Sequence, residues 1–283
     1  MLNEFYFLTI YCPTMRKIQS SLKQGITHEV FKVPYKRALV TGSGRGIGAA
    51  IAKLMARFGV EVVLHASRLS EELEATHDAI VKEGGKALVL TGDWSDEAEA
   101  GSVMHQIRKD IGVLDILINN AADQSVKALT DMSYLDVANM TAVNLVVPIM
   151  LTQQLMKHHQ PSPSNPACIV NIASIEALRG RLGHSHYAAT KAGLVQFNQV
   201  AALELAAQGV RVNAVCPGLI DCPGLSEAWP EGVASWLAHA PLSRLGRPED
   251  VARVVMFLCS DAAQFITGSC IAVDGGMTCA PGW

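Results

Sequence analysis

The sequence predicts an α/β fold: one doubly wound Rossmann domain built on a seven-stranded parallel sheet. Three observations carry that expectation. From Lys36 onward, short apolar runs alternate with longer amphipathic ones, and strands apolar along their whole length belong to a sheet covered on both faces. A glycine-rich turn, Thr41-Gly42-Ser43-Gly44-Arg45-Gly46-Ile47-Gly48, stands between the first apolar run and the first helical one, which is where a helix N-terminus can meet a phosphate. No break in composition divides the alternation, so it reads as one domain.

Residues 37–41 read as the first strand, 46–59 as a helix and 60–65 as the second strand, a βαβ unit. A helix over 70–83, closed by Gly84-Gly85, leads to a third strand at 86–90. A helix over 95–111, opened by Ser95 with acidic residues in its first turn, precedes a fourth strand at 114–118. The second half repeats the pattern: helix 133–158, strand 168–172, helix 185–208 and strand 210–215. A variable segment at 219–247, a helix at 248–259 and a strand at 269–273 complete it. Gln160 to Pro166 is a surface turn. Residues 1–34 are expected to form a poorly ordered N-terminal extension, with Met15 as an alternative start, and 35–283 the folded domain.

Of 283 residues, 49% are hydrophobic and 17% charged, with a net charge of −3 and no long basic run. Neither nucleic acid nor a membrane is an expected partner on that balance. The apolar stretch Phe5–Tyr11 is too short to span a bilayer. Seven cysteines, odd in number and without CxxC spacing, read as reduced thiols in a cytoplasmic protein. His158, His159, His184 and His186 lack a cysteine or carboxylate at zinc spacing, so no metal is expected.

Two constellations point to chemistry. In the glycine loop, Gly42 permits a tight turn, Gly46 a close approach to the backbone and Gly48 close packing of helix on strand. The second strand ends in His65-Ala66-Ser67-Arg68, with no carboxylate for a ribose 2′-hydroxyl. Arg68 and Arg45 could meet a 2′-phosphate instead, which favours NADP, with NAD as the alternative. The second constellation is Tyr187 and Lys191, four residues apart in a helical run and therefore on one face. A cation beside a phenol favours phenolate, so Lys191 is expected to lower the Tyr187 pKa.

Taken with Asn119-Asn120-Ala121-Ala122, Asn144 and Ser174, these motifs resemble the short-chain dehydrogenase/reductase (SDR) family from about Arg37 to Thr278. The family's TGxxxGxG is matched at 41–48, so the resemblance puts the cofactor against Gly42, Ser43, Arg45, Gly46, Ile47 and Gly48, with Ser67 and Arg68 beyond the second strand. Its NNAG stretch is NNAA here, with Ala122 in place of glycine, and Asn120 and Ala121 would lie near the cofactor. Asp93, followed by Trp94, matches the acid that meets the adenine ring. Pro217-Gly218-Leu219-Ile220 matches the segment beside the nicotinamide, and Phe265–Gly268 and Val273–Gly276 match C-terminal signatures. The resemblance implies a catalytic tetrad of Asn144, Ser174, Tyr187 and Lys191. Ser174 would bind the substrate oxygen, and Tyr187 would exchange its proton as hydride moves to or from the nicotinamide. Lys191 would also hold the ribose, and Asn144 would fix a water linking Lys191 to solvent.

What this implies is an NAD(P)-dependent oxidoreductase of secondary alcohols and ketones, acting on a small molecule. Glu176, Arg179 and Arg181 lie near the expected pocket, and Trp229 and Trp236 read as pocket or lid aromatics. A sugar or polyol substrate is favoured because the tail Asp274-Gly275-Gly276-Met277-Thr278, with Pro281 and Trp283, is similar to glucose 1-dehydrogenases. The alternatives are a 3-oxoacyl-(acyl carrier protein) reductase, although Leu203 stands where many of those have arginine, and a non-catalytic dinucleotide sensor. Helices 133–158 and 185–208 carry apolar residues on more than one face, and in the resembled family they pair across two-fold axes, so a homotetramer is expected.

Overall fold

The structure, a computed structural model, describes residues 32–94, 96–162 and 166–280. Its strands are β1 (Arg37–Thr41), β2 (Glu61–Ala66), β3 (Ala87–Thr91), β4 (Ile116–Asn119), β5 (Ala167–Ile172), β6 (Val210–Pro217) and β7 (Cys270–Val273). All seven pair in parallel, in the order β3-β2-β1-β4-β5-β6-β7. After β3 the chain returns to the far side of β1, and at that reversal a crevice opens at the strands' C-terminal ends. The helices are α1 (Gly46–Arg57), α2 (Glu71–Lys82), α3 (Glu97–Asp110), α4 (Tyr134–Thr141), α5 (Val147–His159) and α6 (Ser185–Leu205). Then follow α7 (Leu225–Ala228), α8 (Pro230–His239) and α9 (Pro248–Leu258).

Successive strand residues face opposite layers. Ala38, Val40, Val62, Leu64, Ile116 and Ile118 pack with Ile51 and Met55 of α1 and Val251 and Val255 of α9. Leu39, Val63, Leu117, Ile169 and Val212 pack with Ile107 of α3, Leu151 and Leu155 of α5, and Ala201 of α6. Burying a side chain of that size stabilises by about 1.5–3 kcal/mol relative to leaving it exposed. The sheet is therefore a rigid floor for the loops at its C-terminal edge.

Element bounds shift by up to three residues from the sequence reading, and three further differences stand out. The run expected as one helix over 133–158 contains a π turn, Ala142–Val146, between α4 and α5. That widened turn holds Asn144, which is fully buried. The variable segment carries two short helices, α7 and α8. Packing also begins before residue 35, since Asp261 N–H donates to the Lys32 carbonyl at 2.9 Å and Val33 lies against the core. The apolar stretch 5–11, Cys12, Met15, Pro281 and Trp283 lie outside the described residues.

The run Tyr134–His159, with a mean hydropathy of 1.5, is long and apolar enough to cross a membrane. Here Val147, Leu151 and Leu155 from it pack on the sheet. All six described cysteines are free thiols.

Candidate active site

Gly42 and Gly46 adopt φ of +63° and +57°, the left-handed region where a side chain is strained. A Cβ at Gly48 would overlap the Gly42 carbonyl and the Asn120 amide, whereas one at Gly46 would meet nothing within 4 Å. Gly48 thus brings α1 tightly onto the loop, and Gly46 leaves its approach clear. Arg45, the N-cap of α1, is extended and makes no capping bond with its side chain. The first N–H groups of α1 keep their donors, and the cradle fits an anionic phosphate.

Asn120 ties this loop to β4. Its Nδ2 donates to the carbonyls of Thr41 (2.9 Å) and Gly42 (3.0 Å), while Thr41 Oγ1 accepts from the N–H groups of Asn120 and Ala121 at 2.9 Å each. Ser43 is likewise engaged, accepting from the His65 N–H at 2.8 Å. The Asn120 amide and the Ser43 hydroxyl are therefore taken up within the protein, and Ile47 packs on the core beneath.

Ser67 and Arg68 stand exposed beyond β2, as does Arg45 in the glycine loop. The Glu72 carboxyl is held below its usual range first by hydrogen bonds at the start of α2 and to a lesser degree by Arg45, which places Arg45 near that turn. Sequence reasoning gave His65 no role, yet it is buried and braces the end of β2. His65 Nδ1 accepts from Trp94 Nε1 at 2.7 Å, and Nε2 donates to the Gly92 carbonyl at 2.9 Å. Burial pulls its pKa down to about 4. The Trp94 indole N–H is thus committed internally, while Asp93 stays exposed with its N–H donating to Glu99 at 2.6 Å.

Helix α6 delivers Tyr187 and Lys191 to the C-terminal end of β5. Both are buried, and Lys191 Nζ lies 5.7 Å from the Tyr187 ring centroid. The sequence places Lys191 as the cation that lowers the Tyr187 pKa. The structure shows the reverse shift: burial raises the phenol, and the Glu176 charge raises it further, against a hydrogen bond with Ser174 that lowers it. The physical reason is desolvation of the buried phenol, which outweighs the other contributions. Lys191 is itself buried, its Nζ donating to the Ile172 carbonyl at 2.9 Å, and burial pulls that ammonium down to about 8. Tyr187 is consequently a phenol that holds its proton at neutral pH.

Ser174 caps the turn after β5, its Oγ accepting from the Glu176 N–H at 3.1 Å. Asn144 Oδ1 accepts from the Asp123 N–H at 2.8 Å, and Nδ2 donates to the Asp123 carbonyl at 2.9 Å and to Thr190 Oγ1 at 3.2 Å. The amide bridges the loop after β4 to the helix carrying Tyr187. A π turn suits this role because it swings one side chain out of the regular helical register.

The segment after β6 closes over these groups. Gly218 approaches Trp236 so closely that a Cβ would lie 2.5 Å from the indole, and Trp236 Nε1 donates to the Arg244 carbonyl at 3.2 Å. Pro217 ends β6, and Ile220 bridges to Gly246. Beyond it a cavity of about 530 Å³ opens beside Asp221, Cys222, Gly224 and Arg247. Arg179 donates to the Thr278 carbonyl at 2.5 Å, fastening the C-terminal turn to the loop after β5. His158 lies against Arg108 and His159 3.7 Å from Asp115, away from His184 and His186. Among the described residues no three His, Cys, Asp or Glu side chains gather into a metal site.

A buried chain of asparagines beneath the site was not available from periodicity. Asn119 Nδ2 donates to Asn171 at 2.8 Å, and Asn171 Nδ2 to Asn198 at 3.2 Å, linking β4, β5 and α6 beneath the site. The only sequence signal is polar residues within otherwise apolar runs.

Comparison with known proteins agrees with this geometry. A family model described as enoyl-(acyl carrier protein) reductase matches residues 42–278. The cis-4-hydroxycyclohexanecarboxylate dehydrogenase of Sinomonas cyclohexanicum is 38% identical over 245 residues, covering 85% of this chain and 96% of that protein. The 3-oxoacyl-(acyl-carrier-protein) reductase of Aquifex aeolicus is 36% identical over 246 residues, 87% of this chain and 98% of its own. The solved short-chain dehydrogenase/reductase of Serratia marcescens superposes with a TM-score of 0.81 at 30% identity, covering 87% of this chain and 99% of that one.

Proposed function

The chain belongs to the short-chain dehydrogenase/reductase family, an oxidoreductase family acting on alcohol and ketone groups, and from that premise we propose that it works with NADP on a secondary alcohol or ketone carrying further polar groups. The observation that carries this is that Ser174, Tyr187 and Lys191 are buried together, with Lys191 one helical turn from Tyr187, at the same sheet edge as the glycine cradle. The nicotinamide, when bound, supplies or accepts the hydride. Tyr187 gives its proton to the carbonyl oxygen in reduction and takes it back in oxidation, while Ser174 holds the same oxygen. Lys191 holds the ribose, and Gly42 to Gly48 receive the pyrophosphate with Pro217, Gly218 and Ile220 along the nicotinamide. Arg45 and Arg68, with no carboxylate at the end of β2, favour the 2′-phosphate of NADP over NAD. A cytoplasmic homotetramer acting on a small molecule is the corresponding assembly.

A polyol or sugar-like substrate is favoured by the polar side chains between Ser174 and Tyr187: Glu176, Arg181 and His184. An acyl-carrier substrate, suggested by relatives such as the Aquifex aeolicus reductase, is disfavoured by Leu203, which stands exposed in α6. Retention of both Tyr187 and Lys191 argues against a non-catalytic sensor. The purified protein is expected to reduce ketones or oxidise alcohols from a panel spanning polyols, hydroxy acids and plain alcohols, faster with NADP(H) than with NAD(H). Absence of turnover with both cofactors across the panel would overturn this reading.

A further inference from the structure

The loop between Ser174 and Tyr187 carries groups that the proton and hydride steps do not use. Glu176 Oε2 accepts from His184 Nδ1 at 2.8 Å. Arg181 Nη1 lies 3.7 Å from the other Glu176 oxygen, and its guanidinium sits 4.1 Å from the centroid of Trp229. Trp229 in turn lies so close to Gly232 of α8 that a Cβ there would overlap the indole. His184 stands edge-on to the catalytic tyrosine, with ring centroids 5.5 Å apart at 60°.

His184 is only 6% exposed, and its Nε2 is buried with no hydrogen-bond partner among the described residues. Such an atom is unfavourable where nothing satisfies it. Its chemistry is fixed by its neighbour. A carboxylate only accepts hydrogen bonds, so Nδ1 carries a proton, and in the neutral ring Nε2 then presents a lone pair. The group that completes His184 in that form is a donor, such as a hydroxyl. Arg181 lies beside the Glu176 carboxylate and stacks on the Trp229 indole, which helps to hold that carboxylate in place against His184. Among the described residues His186 Nδ1 is also buried and unpartnered, but none of their carboxylates forms an ion pair with it to fix its tautomer.

We propose that His184, oriented by Glu176, determines specificity by accepting a hydrogen bond from a second hydroxyl of the substrate, close to the carbon that is oxidised or reduced. This rests on the oxidoreductase reading above and narrows it to hydroxy ketones and diols.

Matched ketones test it at pH 8 with NADPH: 2-butanone against 3-hydroxy-2-butanone, cyclohexanone against 2-hydroxycyclohexanone, and 4-oxocyclohexanecarboxylate as the anionic arm. The wild-type protein is expected to prefer the hydroxylated member of each pair. His184→Ala should lower kcat/KM for the hydroxylated ketones by about tenfold or more and for the plain ketones by less than about threefold, the size of one lost hydrogen bond. His184→Gln, which can still present an acceptor, should recover part of the loss, and Glu176→Ala should weaken the same substrates. Equal losses on both members of a pair, or a wild-type preference for the carboxylate or the plain ketones, would overturn the assignment. If the wild-type protein turns over none of the ketones in this set or the wider panel, the oxidoreductase reading fails first and this one with it.

Discussion

Tyr187 keeps its proton because its surroundings exclude water, and the pH dependence of the two reaction directions follows from that. A raised phenol pKa means that the acid form needed for reduction is present at neutral pH, while the phenolate needed for oxidation must be generated by raising the pH. Oxidation rates should therefore climb between about pH 7 and 10 while reduction rates do not, as initial-rate profiles in the two directions can show. Tyr187→Phe keeps the ring and removes the proton carrier. It should lower kcat by about 10²-fold or more with cofactor affinity retained, and near-normal turnover in that variant would exclude the acid role. Arg68 is exposed beyond β2, and an arginine–phosphate pair is worth roughly 1.5–3 kcal/mol. Arg68→Ala is thus expected to weaken NADPH by about tenfold or more and NADH little. Fluorescence titration of the two cofactors distinguishes this from an equal loss, which would leave Arg68 no role in reading the phosphate.

At the scale of elements, the end of β2 depends on a neutral histidine. His65 accepts from Trp94 through Nδ1, a bond that protonation abolishes. Its pKa is about 4 when folded against an ordinary 6.5, so between those values the unfolded chain binds more protons than the folded one. Stability is then full above about pH 6.5 and lost as the pH falls toward 4, by about 3 kcal/mol at most. Thermal unfolding followed across that window should show the decline in the wild-type protein and a shallower one in His65→Leu. An unchanged slope would remove His65 from the account. The π turn is the other element with a task, since it directs Asn144 at the loop after β4 and fixes that loop to α6.

Across the whole molecule, the apolar surplus on the long helices remains on the surface of the single chain. Val146 and Met150 are 47% and 37% exposed, and Val200 and Leu203 of α6 are 42% and 82% exposed. Apolar residues clustered on helix faces, away from the sheet, are what an association between copies would cover. Light scattering at micromolar concentration is expected to report a mass about four times that of one chain. Leu203→Glu should shift it toward smaller species, and a monomeric wild-type protein would rule out the pairing.

The order of elements, the parallel sheet, the glycine loop and the shared face of Tyr187 and Lys191 were legible in the sequence because each depends on neighbours a few positions apart. Apolar period, turn residues and helical spacing are local properties, and the tertiary fold had little freedom to overrule them. What the side chains do at the site was decided by contacts between segments distant in the chain. Asn144 meets Asp123, Trp94 meets His65 and Arg179 meets the Thr278 carbonyl only once the strands end at one edge. The same holds for electrostatics: spacing alone makes Lys191 a cation beside a phenol, but burial of the phenol reverses the expected shift of Tyr187. Desolvation depends on everything packed around a group, and only the folded arrangement sets it.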